Sequence, residues 1–359
     1  MTDSAFASDE IPKIAWRAVA AVGLVLIVYA VGSRIPLPGL DLDAITAQAG
    51  SSALTSVLSI FALWMMPFFS ALIFAELARV FIAPLARWEA AAPRNEGMFK
   101  LVVAVLALVL AAMQGYGIAV GLDASGLVVS EIAAFVPMTV ACLVASTAFV
   151  IWLSDRIGLP YRSGGFWVLL VVPYLVGLPR EFSSGIEMAR VGAVSGLDIL
   201  LPVAFLVLAA GLVVYANKAI DAKLPNDRGR YAPRAILLWP PFLASFVTGN
   251  IVALPLMVLE LQHVIFWSQL LTLVTGLIAI PGFVWAYGRH HLRVLGEGNE
   301  RQGVVAALAV VAGVQIVVCS VPVILQMITH SPIYLDGYRL IVVFTVMLAV
   351  FSRAHPAGD

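Results

Sequence analysis

Glu76 and Arg79 stand three positions apart inside an apolar stretch, a spacing that sets opposite charges on one helix face. Such a pair near the end of a membrane span ordinarily snorkels toward the headgroups, which is the expectation here. Gln114, Thr248, Asn250 and Gln315 also lie in apolar surroundings; being uncharged, they can hydrogen-bond between helices but cannot carry coupling charge. A proton- or sodium-coupled carrier needs a buried chain of Asp, Glu or His, and the apolar stretches hold none. His290-His291 falls in a short basic loop, and Cys142 and Cys319 sit in separate apolar runs, so neither a metal site nor a disulfide framework is supported. No phosphate loop, zinc motif or nucleophile motif occurs. No catalysis, metal or cofactor is expected, and any energy source belongs to a partner. A path with apolar walls and no coupling charges suits a polymer threaded by an outside motor.

The elements that must position these residues are membrane spans. Of 359 residues 62% are apolar and 12% charged, with mean hydropathy +1.00, against about 45–50% and about 25% in water-soluble domains. That excludes a cytosolic enzyme, a secreted disulfide scaffold and a disordered chain, and a formal charge of zero gives no bulk reason to expect nucleic acid. Crossing the roughly 30 Å hydrocarbon layer takes about 20 mostly apolar residues. Ten runs qualify: 14–33, 54–83, 98–120, 132–153, 165–179, 197–217, 236–256, 262–288, 303–328 and 335–352. The first has no small-residue cleavage site after it and reads as a retained span. With the N-terminus cytoplasmic, 17 of the 21 basic residues fall on the cytoplasmic side and only Arg34, Arg180, Arg190 and Arg339 on the other. The sequence therefore predicts an all-α integral membrane protein of the cytoplasmic (inner) membrane, multi-pass, with both termini inside.

Two spans carry breaks. Pro67 lies in Leu63-Trp64-Met65-Met66-Pro67-Phe68-Phe69-Ser70, and Pro240-Pro241 in Leu238-Trp239-Pro240-Pro241-Phe242-Leu243-Ala244-Ser245. Each proline removes a donor and crowds the preceding turn, so each helix is expected to be kinked or broken there. The two segments resemble one another, as do Val28-Tyr29-Ala30 and Val214-Tyr215-Ala216 upstream of them. Runs one and two therefore recur as runs six and seven, and five spans per half makes the second half inverted, an arrangement that places a transport path at the repeat interface.

Several motifs are similar to those of the SecY family of protein-conducting channels: Gly32-Ser33-Arg34-Ile35-Pro36-Leu37-Pro38-Gly39-Leu40-Asp41 after run one and Ser59 to Ala71 in run two. Further matches are Gln114-Gly115-Tyr116-Gly117, Trp152-Leu153-Ser154-Asp155, Val176-Gly177-Leu178-Pro179 and Pro332-Ile333-Tyr334-Leu335-Asp336-Gly337. The resemblance implies ten transmembrane helices in two inverted halves, 13–196 and 197–353, flanked by tails 1–12 and 354–359, with a plug at about 42–55. It implies an apolar pore ring at Met65, Phe69, Phe166, Leu170 and Val342, with run seven supplying Phe246, which the alignment does not separate from Ser245. A girdle of this kind dewets when shut and can seal around a chain when open. It also implies a lateral gate between runs two and three and runs seven and eight, lined by Ser70, Gln114, Thr248 and Asn250.

Partners implied are an unfolded polypeptide substrate, the bilayer, a SecE-like small membrane subunit and, as an optional companion, a SecG-like one. Docking of a motor or ribosome would use two cytoplasmic loops, Lys218–Ala235 and Arg289–Gln302, with Lys223, Arg228, Arg230 and Arg293 as candidates. Both loops are shorter than the family norm, which leaves the driving partner open. Two alternatives stand beside the channel: a SecY-derived scaffold or assembly factor that no longer conducts, favoured by the short loops, and a carrier for small amphiphiles, disfavoured by the missing coupling residues.

Overall fold

The computed structural model describes residues 16–41, 45, 58–129, 134–157, 164–224, 233–250, 254, 258, 265–294, 299–329, 333 and 335–352. Among them run eleven principal helices: α1 (Trp16–Gly32), α2 (Met66–Phe81), α3 (Ala83–Ala91), α4 (Pro93–Ala124), α5 (Phe135–Arg156), α6 (Gly164–Arg190), α7 (Gly196–Lys223), α8 (Pro233–Thr248), α9 (Ile265–Val294), α10 (Asn299–Ile328) and α11 (Gly337–Ser352). By length and composition α4, α5, α6, α7 and α10 can each cross a membrane, and α2 with α3 makes a sixth if the bent pair is one span. Shorter apolar helices occupy the four remaining runs, in α1, α8, α9 and α11.

Proline sets the helix starts. Of the two outcomes expected at Pro67 the structure has the break: residues 58–65 form turns and α2 opens at Met66, placing Pro67 in the first turn, where a missing N–H is tolerated. Pro93 opens α4 likewise, and Ala92 before it is extended (φ −154°, ψ 146°) because a residue preceding proline is pushed off the helical region. Pro84 lies in the first turn of α3, which turns 108° away from α2, so run two ends at Phe81. Run five is longer than the apolar pattern showed. α6 passes through Pro173 and Pro179 and continues to Arg190, its polar last turn held by a 3.0 Å Glu187–Arg190 ion pair. α7 begins with a capping box in which Ser195 and Asp198 satisfy each other's backbone N–H.

Packing repeats between the halves of the chain. Helices of runs one to five pack as α2–α4, α4–α5, α5–α6, α1–α6 and α2–α5. Those of runs six to ten pack as α8–α9, α9–α10, α10–α11, α7–α11 and α8–α10, the same pairs in the same order. The second set adds α7–α10, α7–α8 and α8–α11. The two sets meet through α2–α8, α6–α11 and the consecutive pair α6–α7. Gly165 and Gly337 open equivalent helices, and each lies against the backbone of the preceding one. A Cβ there would stand 2.0 Å from the Ser154 carbonyl oxygen or 2.1 Å from that of Val318.

Beyond α1 the chain pairs on two sides: Leu37 N–H donates to Leu58 O (2.9 Å) and Ile60 N–H to Ile35 O (2.9 Å), while Asp41 N–H donates to Leu127 O (2.9 Å). Gly39 allows this course with φ 91°. Leu37, Leu40, Leu58, Leu63 and Leu143 form a small core beneath it. The expected plug segment lies outside the described residues except Ile45, which is buried in that core.

Candidate waist and seam

Where the two sets meet, aromatic rings fill the centre. Phe69 of α2 stacks on Phe166 of α6 (centroids 5.9 Å, planes at 19°) and meets Phe242 of α8 edge-on at 5.4 Å. Phe166 stacks in turn on Trp239 (6.0 Å), Trp167 approaches Trp239 at 4.8 Å, and Phe242 approaches Tyr338 of α11 at 6.0 Å. Rings from four helices, two per set, thus interlock; such pairs contribute about 0.5–1.5 kcal/mol each beyond area burial. Met65, Phe166 and Val342 are fully buried in the main core, and Phe69, Leu170 and Phe246 pack half-buried against it. Phe246 does not meet Phe69; its ring contact is Phe74, at 5.4 Å. Phe242, one turn earlier on the same face, is the residue beside Phe69. A pattern match displaced by one turn leaves the face unchanged, so periodicity alone does not separate the two positions.

Sequence reasoning also missed how the broken helices are satisfied. In a helix the Leu169 carbonyl would accept from residue 173, which is proline. The Trp64 indole Nε1–H donates to it instead, at 3.0 Å. Trp64 has φ 44°, the one positive value outside glycine among the described residues, and is held by rings of Tyr29 (4.8 Å) and Phe61 (4.9 Å). Similarly Pro240 and Pro241 leave the carbonyls of Ile236 and Leu237 without donors, and Gln315 Nε2 of α10 donates to both, at 3.0 and 2.8 Å. Freed backbone groups at membrane depth need partners of this kind. The available signal was a donor-bearing residue to be sought for each carbonyl four places before a proline.

The seam lies between α2 with α4 and α8 with α9. α2 and α8 touch, whereas α4 and α9 are not a closely packed pair, in contrast to the neighbours within each set. Ser70 and Gln114 are half-buried on α2 and α4. Thr248 is buried at the end of α8, its hydroxyl unpaired among the described residues, and Asn250 is exposed, donating back to the Phe246 carbonyl of its own segment at 2.9 Å. Among the described residues no hydrogen bond joins these four, so the anticipated inter-helix bonding of Asn250 is replaced by a local one.

Charge is concentrated at one end of this seam. Glu76 and Arg79 do not snorkel: both are buried, and Arg79 pairs with Glu76 while holding Glu89 of α3 through two 2.8 Å bonds. The Arg79 guanidinium lies 4.5 Å over the Phe99 ring of α4. Tyr287 of α9, fully buried, donates its hydroxyl to the second Glu76 oxygen at 2.7 Å. The 108° turn brings α3 back over α2, which supplies Glu89 and excludes the water a snorkelling pair would seek.

Of the docking candidates, Lys223 is exposed at the end of α7, Arg293 lies in α9 with its side chain outside the described residues, and Arg228 and Arg230 lie outside them altogether. Arg234 of α8 forms a two-pronged pair with Asp221 of α7, tying the two helices together.

A polytopic helical membrane protein built as two similarly packed sets around a closed aromatic waist is the class that this fold and site define. The SecY family model matches residues 59–353, and the chain belongs to the SecY family, whose members are protein-conducting channels and not enzymes. It is 24% identical to the protein translocase subunit SecY of Rickettsia bellii over 390 residues, covering 92% of this chain and 90% of that one. Against the Escherichia coli subunit identity is 32% over 228 residues, or 59% and 52% of the two chains. The fold is also similar to Sec61 of the canine ribosome–channel complex (TM-score 0.56, 11% identity, 99% of this chain and 94% of that one) and to a SecY structure described for its plug domain (TM-score 0.57, 12% identity, 99% and 94%).

Proposed function

We propose that this chain is a channel subunit that passes unfolded polypeptides across the cytoplasmic membrane or releases them sideways into it. The observation that carries the reading is the interlocked set Phe69, Phe166, Phe242 and Tyr338, contributed by α2, α6, α8 and α11 at the junction of the two sets. Rings that pack without covalent or backbone ties can part around a threaded chain and close again behind it. Met65, Leu170 and Val342 flank them as the remaining apolar wall, and Phe246 with Phe74 stands at the seam. Ser70, Gln114 and the Thr248 hydroxyl line the side exit. The repeated packing supports the reading of two inverted halves, and the charge bias supports cytoplasmic termini. A SecE-like small subunit, with a SecG-like one as companion, and a motor or ribosome at Lys223, Arg228, Arg230 and Arg293 complete the proposed assembly.

The test is a stalled secretory precursor carrying a photo-crosslinker, with cysteine or a probe placed at Phe69 or Leu170. Adducts at both positions support conduction; their absence while the chain is folded in the membrane favours the non-conducting scaffold.

A further inference from the structure

The network of Glu76, Arg79, Glu89 and Tyr287 has no place in the waist, yet it is the most heavily buried charge cluster among the described residues. Its members come from three elements: α2 gives Glu76 and Arg79, α3 gives Glu89, and α9 gives Tyr287. The α2–α3–α4 side is knit together by the Arg79–Glu89 fork and by Arg79 over Phe99. Across to α9, ties among the described residues include Tyr287 to Glu76 (2.7 Å) and Arg289 Nη2 to the Val80 carbonyl (3.3 Å). α2 and α9 are not a closely packed helix pair, and these polar side chains reach across between them.

We infer that this cluster is a latch on the seam: Glu76–Tyr287 holds α9 against α2 and must break before the two sides separate. The inference rests on the lateral-exit reading above. A hydrogen bond to a buried carboxylate suits such a role. It is strong while the site is dry and directional, and it loses most of its value once separation admits water, giving two discrete states instead of gradual loosening. The Arg79–Glu89 fork places α3 in the same circuit. α3 carries exposed Arg87 and Trp88 on its outer side, so a partner that shifts α3 draws Glu89, and with it Arg79 and Glu76, away from Tyr287. α3 is the handle of the latch and Tyr287 its catch.

The test uses the full chain in lipid nanodiscs, with Cys142 and Cys319 replaced by serine and spin labels on Met113→Cys of α4 and Ile278→Cys of α9, both exposed positions on opposite sides of the seam. Pulsed dipolar spectroscopy without substrate reads the ratio of parted to closed molecules. Tyr287→Phe keeps the ring and removes the bond; it should raise that ratio roughly tenfold or more, the worth of a hydrogen bond to a charged group. Glu76→Gln, which can accept from only one of its two partners, should shift it in the same direction and serves if the tyrosine variant does not fold. Distances unchanged from the parent in these variants overturn the latch. The readout needs no transport: labels that part in a chain giving no precursor adducts uphold the latch and sink the channel, and adducts with unmoved labels do the reverse.

Discussion

Trp64 donates its indole N–H to the carbonyl of Leu169, the group that Pro173 leaves without a helical donor. One contact thus offsets a proline in α6 and holds the turn that leads into α2, with Trp64 itself in a backbone region costly for an aromatic residue. Trp64→Phe should lower stability by about 1–3 kcal/mol, because it strands a buried acceptor. In a Pro173→Ala background residue 173 can donate for itself, and the same substitution should cost markedly less. Melting of the four purified proteins in detergent supplies the cycle; equal costs in both backgrounds would show that Trp64 acts by packing alone.

Gln315→Leu removes the donor of two carbonyls at once and should cost about 2–4 kcal/mol by the same reasoning. Gln315→Glu, which offers acceptors where donors are needed, should be worse than leucine. Denaturant unfolding in bicelles ranks the two, and a leucine variant as stable as the parent would refute the capping role.

Glycine tolerance should follow what each position faces. Alanine at Gly165 or Gly337 runs into backbone and should cost about 1–3 kcal/mol through forced helix displacement. Gly32 faces the Phe61 ring, a side chain that can turn aside, so Gly32→Ala should be the mildest of the three. Folded yield and melting midpoint check the order.

Phe69→Ala combined with Phe166→Ala removes the stack at the waist. Each large-to-small change in a core costs about 3–5 kcal/mol when the site cannot collapse. If the waist is the seal proposed, proteoliposomes bearing the double variant should leak ions at least tenfold faster than the parent. A folded double variant that stays tight would remove the aromatic set from the barrier.

What could be read in advance follows the range of the interaction. Pro93 as a helix start and Ser195 with Asp198 as a cap depend on neighbours within three residues, but a search for apolar runs passes over both, because the residues that set them are not apolar-run residues. Glu76 and Arg79 were legible as a pair, but Glu89 enters only because α3 folds back, and Tyr287 stands 211 positions away. Without those partners a pair at a span's end has no reason to be buried, hence the snorkelling expectation. Gln315 was visible as a polar residue in an apolar run; its partners lie 78 and 79 positions back, at carbonyls that side-chain patterns do not display. The Pro67 position turned on whether residues 58–65 were helical, and an apolar run of mixed aromatics does not distinguish a helix from a set of tight turns.

The packed pairs that only the second set possesses have a mechanical consequence. α7 is braced by α8, α10 and α11, whereas its counterpart α1 leans closely on α6 alone among the described residues, with Leu24, Ile27 and Val31 facing outward. The first helix of the C-terminal five is thus tied into its body by more neighbours than the first helix of the N-terminal five. Any widening at their junction should be taken up by displacement of α1 and its neighbours about a nearly stationary frame, and the bare flank of α1 is where an added helix would do most to restrain that travel.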